Sequence, residues 1–104
     1  MLSLEGAPRS VKVLGVKFRV KYVDGLVNSK ADALYGDCDG PGHTIRICTK
    51  LNKTPQACEA TLMHEVIHAI LYLTGQSELL SEDREEALVL SLENGLSKLY
   101  RRRP

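Results

Sequence analysis

"TPQACEATLMHEVIHAILYLTG", residues 54–75, is the stretch at which the periodicity of the chain changes. Thr54 reads as a helix N-cap and Pro55 as the first helical residue, where its missing N–H costs nothing. Gly75 stands where a helix C-cap belongs. Between them Ala57, Leu62, Val66, Ala69, Ile70 and Leu73 predict a helix with one well-buried face.

Upstream the period is two. In "VKVLGVKFRVKYV", Val11 and Val13 alternate with lysine, and Val16, Phe18, Val20 and Tyr22 alternate with Lys17, Arg19 and Lys21. Such alternation marks half-buried strands, with Gly15 at a turn or bulge between them. Ala33–Tyr35 is expected to be a short strand, "DCDGPGH" a turn, and "TIRICT" a further strand through Ile45 and Ile47. Downstream, "QSELLSEDRE" reads as a polar loop. "EEALVLSLENGLSKLY" restarts a helix, with Leu88, Val89, Leu92, Leu96 and Leu99 at helical spacing. Strands followed by two helices predict an α+β fold: a small twisted sheet, the "HEVIH" helix and a C-terminal helix.

The 104 residues suit one domain, with residues 1–10 and 101–104 expected to be flexible termini. A hydrophobic fraction of 43% and a charged fraction of 26% fit a globular chain, and a net charge of +1 gives no electrostatic reason to expect a nucleic acid or a membrane as partner. No apolar run is long enough to span a bilayer, and the N-terminus does not read as a signal peptide. An odd cysteine count (Cys38, Cys48, Cys58) without C-x-x-C spacing favours reduced, buried or half-buried thiols and a cytoplasmic location.

His64, Glu65 and His68 form the pattern H-E-x-x-H. Residues at i and i+4 of a helix project from one face, so two imidazoles can share one tetrahedral ion. Glu65, one step on, flanks that face and can act as general base toward a water that zinc acidifies. Only three histidines occur in the chain, and two sit at ligand spacing inside an apolar segment, where a polar group is costly unless it finds a partner.

A third ligand must come from elsewhere. Leu71 and Thr74 occupy the places where a three-histidine continuation would put Gly and His. Glutamates remain: Glu78, Glu82, Glu85, Glu86 and Glu93. Glu78 is expected in the loop and Glu82 near the next cap. Glu85 falls near the middle of the Leu88/Leu92/Leu96 stripe and Glu86 at its edge, and helical phase alone leaves both open.

From about residue 11 to 100 the chain resembles small HExxH proteins of phages and prophages, related to the ImmA/IrrE-type metallopeptidases and the minimal gluzincins. The matching pieces are the strand before "LYG", "TIRI", "TLMHEVIHAIL" and "EEALVLSLENGL". In gluzincins the ligand glutamate is followed by a small residue, with apolar residues two and six positions on. Glu86 fits, with Ala87, Leu88 and Leu92 behind it. The resemblance therefore implies a zinc metallopeptidase: His64, His68 and Glu86 as ligands, Glu65 as base, and a peptide or protein as substrate. The alternative is a non-catalytic zinc-binding or protein-interaction module on the same scaffold.

Several features have plainer readings. His43 is expected at the surface rather than beside an oxyanion, and Tyr72 as a packed aromatic rather than, like Tyr35, a polarising phenol. "DCDG" lacks the remaining ligands of a calcium loop. Arg101–Arg103 reads as a solvated terminus. The strand Thr44–Thr49 is expected near the cleft edge, where it can pair with an extended substrate.

Overall fold

The computed structural model describes residues 2–99. It contains four strands, β1 (Ser10–Val13), β2 (Val16–Val23), β3 (Gly36–Asp39) and β4 (Thr44–Cys48), and two α-helices, α1 (Pro55–Leu73) and α2 (Glu82–Leu99). A one-turn 3-10 helix, Gln76–Glu78, links the helices. The α+β expectation holds, with a mixed sheet of order β1-β2-β4-β3.

β1 and β2 form a hairpin, so Gly15 marks a turn rather than a bulge. Val13 pairs with Val16, and the turn between them is Leu14-Gly15, both with φ > 0 (49° and 81°). Such a turn matches the right-handed twist of its strands and favours glycine at the second place. Ser10, expected in a flexible terminus, opens β1. Tyr22 donates its hydroxyl to Pro8 C=O at 2.9 Å, which ties the preceding segment to the sheet. The expected tail at 101–104 lies outside the described residues.

The third strand is displaced from its expected position. Ala33–Tyr35 belongs to a loop, where Asn28 Oδ1 accepts the Lys30 and Asp32 N–H groups and Ala33 makes only an isolated bridge to Val27. β3 instead occupies "GDCD", which reads as turn chemistry, and the turn itself is Gly40–His43. Tertiary contacts override the local signal. Asp37 sits directly across from Arg46 and accepts its Nε–H at 2.9 Å. Gly36 lies where a Cβ would come within 2.7 Å of Thr61 Cγ2 and 2.9 Å of Arg46 O, so only glycine lets α1 settle this close to the sheet.

β4 is central, parallel to β2 and antiparallel to β3. The expectation that Thr44–Thr49 forms the cleft edge is thus corrected: both its sides are taken, and the edge strand is β3.

The N-cap of α1 is as predicted, whereas its C-cap is Thr74, one residue before the expected Gly75. Thr54 accepts the Ala57 N–H at 3.0 Å, and Gly75 follows the last turn at φ 80°. It is buried on two sides. Val13, Phe18, Val20, Ile45 and Ile47 of the sheet pack against Cys58 and Ala69, while Ile67 and Leu71 meet Val89 and Leu96 of α2. Ile70, expected in the buried face, is exposed. α2 begins at Glu82, earlier than predicted, because Ser81 caps it by accepting the Arg84 N–H at 3.2 Å. Glu82, Asp83 and Glu85 then complement the positive end of its dipole. Its inward line is Glu85, Val89, Glu93 and Leu96; Leu88 and Leu92 of the expected apolar stripe face outward. No described helix is long and apolar enough to cross a membrane.

Candidate metal centre

The geometry of α1 and α2 brings the separate sequence signals together. His64 and His68 leave α1 toward α2, where Glu86 reaches both. Its Oε2 lies 3.1 Å from His64 Nε2 and its Oε1 3.0 Å from His68 Nε2. One ligand atom from each of His64, His68 and Glu86 lies within 4.8 Å of the others, a group that could hold a metal ion. Ligand atoms around a tetrahedral zinc are separated by about 3.3 Å for bonds of about 2.0 Å, so the spacing fits. Two imidazole nitrogens and a carboxylate oxygen also suit other divalent ions.

The outer face of each ring is occupied too. His68 Nδ1 lies 2.6 Å from Glu85 Oε2, and His64 Nδ1 lies 2.9 Å from Glu93 Oε1. Glu85 and Glu86 are therefore both at the site, in different places. Glu78 and Glu82, the other candidates, form no ion pair with either histidine among the described residues. The place of Glu93 was readable as a phase: it follows Glu86 by seven residues, two turns along the same line of the helix.

Glu65 is buried and lines the same cleft. Its carboxyl pKa is raised to about 7: burial is the largest cause, His68 and His64 oppose it, and Asp37 and Glu86 add to it. For His64, burial acts to lower the pKa, but the bond to Glu93 and the nearby Glu86 and Glu65 outweigh it and the net shift is upward. A divalent cation between these groups favours ionised carboxylate and neutral imidazole.

The cleft holds about 840 Å³. It runs between the loop before β3 (Leu34, Tyr35), the β3 strand, the histidine face of α1 and the Leu90 side of α2. Tyr72, expected to be packed in the core, is exposed, and its ring lies over Gly40, where a Cβ would meet it at 2.5 Å. His43 is away from the cleft, its ring 5.1 Å from that of Phe18. Cys48 N–H donates to Tyr35 C=O. By antiparallel alternation the backbone groups of Asp37 then face β4, while those of Gly36 and Cys38 face the free edge on the cleft side.

All three cysteines are free thiols, Cys48 and Cys58 buried and Cys38 partly so. Burial first, then the neighbouring Glu65, Asp37, Asp39 and Glu85 carboxylates, push Cys38 up to about 12. In the metal-free protein at pH 8, Cys38 is therefore expected to be alkylated by iodoacetamide roughly a hundredfold to a thousandfold more slowly than in the unfolded chain. Peptide mapping by mass spectrometry over a time course reads this, and equal rates would contradict the assignment.

No family model, curated protein or solved structure matches the chain.

Proposed function

We propose that this chain is a zinc-dependent metallopeptidase. The observation that carries the reading is the number and placement of ligands: among the described residues three potential ligand side chains converge, and they do so on an open cleft beside the buried carboxyl of Glu65. Structural zinc sites close with four protein ligands, whereas catalytic sites keep one position for water or substrate. The bound ion would supply Lewis acidity toward water and a peptide carbonyl.

The residues of the chain supply the rest. Glu65 accepts the proton from the attacking water and returns it to the leaving amine. Glu86 and the two histidines are the residues that would hold the ion. An extended peptide fits the free edge of β3, where the backbone groups of Gly36 and Cys38 can pair with it by strand addition, which demands little side-chain specificity.

Purified protein supplied with Zn²⁺ is expected to retain one ion per chain by elemental analysis and to cleave an unfolded protein. A chelator should stop cleavage, and added zinc should restore it. His64→Ala and His68→Ala are each expected to lose the ion. No bound metal after supplementation would sink the proposal. A tightly held ion without cleavage would favour the non-catalytic module instead.

A further inference from the structure

Each imidazole of the pair is gripped at both nitrogens. The Nε2 atoms share Glu86, which is 49% exposed at its side chain, while the Nδ1 atoms meet Glu85 and Glu93, which are 17% and 21% exposed. The two better-buried carboxylates have no lysine or arginine in an ion pair among the described residues; the histidines are their partners. Glu85 and Glu93 are eight residues apart, about 12 Å along α2, while His64 and His68 are about 6 Å apart along α1. The carboxylates thus bracket the histidine pair from outside, with Glu86 reaching in between.

A neutral imidazole carries one N–H and one lone pair, and the hydrogen bond made by one nitrogen decides which is which. A carboxylate at Nδ1 holds the proton there and leaves the lone pair on Nε2. It also makes the ring a stronger ligand and fixes its orientation. We infer that Glu85 and Glu93 are positioning residues of the metal centre, Glu85 through His68 and Glu93 through His64. This rests on the metal-centre reading above. It assigns Glu85, the rival third ligand, a different task, and it makes α2 the source of both a ligand and the two groups that aim the other ligands.

Affinity for Zn²⁺ and Co²⁺, measured against a chromophoric chelator, tests it on the full chain. Wild type should bind both ions, and Glu86→Ala should lose nearly all binding. Glu85→Leu and Glu93→Leu should each bind about 10–100-fold more weakly, with an altered Co²⁺ absorption spectrum. Glu85→Gln and Glu93→Gln keep the shape and an acceptor oxygen but not the charge, so a loss of at least about threefold is expected. Imidazole ¹⁵N shifts of the metal-free protein give a second readout. In the Glu86→Ala background, where no carboxylate stands at Nε2, the neutral rings should both carry the proton on Nδ1, and that preference should be lost at His64 when Glu93→Leu is added and at His68 when Glu85→Leu is added. Folded leucine variants that bind both ions like wild type, with an unchanged spectrum, would overturn the inference and leave the metal centre standing. Should the leucine variants not fold, unchanged affinity in the glutamine variants would overturn it. Wild-type protein that binds neither ion would remove both readings.

Discussion

Glu65→Gln is expected to lower peptide hydrolysis by a factor of about 10²–10⁴, the usual contribution of a general base, and to leave zinc bound. Glutamine matches glutamate in shape but cannot take up a proton from water at neutral pH. Glu65 is buried, lines the cleft, and stands on α1 between the two histidines, so the substitution leaves the ligands in place. The loss should appear in kcat with KM nearly unchanged, because the carboxylate acts on the reacting water rather than on the resting substrate. The fold should not suffer. Burial disfavours the charged carboxylate, and glutamine has no charge to bury, so the thermal midpoint is expected at or above that of wild type. A variant that keeps its metal and cleaves within threefold of the wild-type rate would show that Glu65 is not the base.

The parts of this site that depend on local periodicity were legible in the sequence. Helix α1, its Thr54 cap, its Gly75 terminus and the shared face of His64 and His68 follow from spacing over one continuous segment. The β1–β2 hairpin follows from alternation and a glycine. The parts that depend on contacts between distant segments were not. β3 hides in a run of turn-forming residues because its strand state comes from the Arg46 partner across from Asp37 and from the approach of α1 at Gly36. The central place of β4 is a matter of strand order, about which its own alternating pattern says nothing. In α2 the leucines at 88 and 92 suggest the wrong inward face. Glu85 and Glu93 themselves form part of the half-buried seam, and they can do so because the histidines opposite satisfy them. A hydrophobicity rule misplaces such a helix, since its contact is built around a polar centre with Val89 and Leu96 as the apolar remainder.

Asn52 gave no signal in the sequence, and its replacement is expected to cause the largest loss of stability. It is 2% exposed and joins three elements. Its Nδ2 donates to Tyr35 C=O at 2.9 Å and to Cys48 C=O at 2.8 Å, and its Oδ1 accepts the Thr61 hydroxyl at 2.7 Å. One side chain thereby holds the residue that leads into β3, the end of β4 and α1 at Thr61, about one turn before His64. Asn52→Ala removes all three bonds, yet each carbonyl keeps a backbone donor, Cys48 N–H for Tyr35 and Asn52 N–H for Cys48. The expected cost is about 2–4 kcal/mol. Asn52→Asp should cost more at pH 7, although it is the closer match in size. A carboxylate has no hydrogen to donate, so it would point negative charge at two carbonyl oxygens in a buried site. Protonation relieves this by removing the charge and restoring one O–H donor. The aspartate pKa in the folded variant should therefore lie above its unfolded value of about 3.9. The folded state then binds more protons than the unfolded state in that window, and stability must fall as pH rises through it. Urea unfolding at pH 4 and pH 7 should show the aspartate variant approaching or passing the alanine variant in acid and falling below it at neutrality. An aspartate variant clearly more stable than the alanine variant at pH 7 would mean that Asn52 contributes volume rather than its donor pair, and β3 would then need another explanation for its position beside the two histidines.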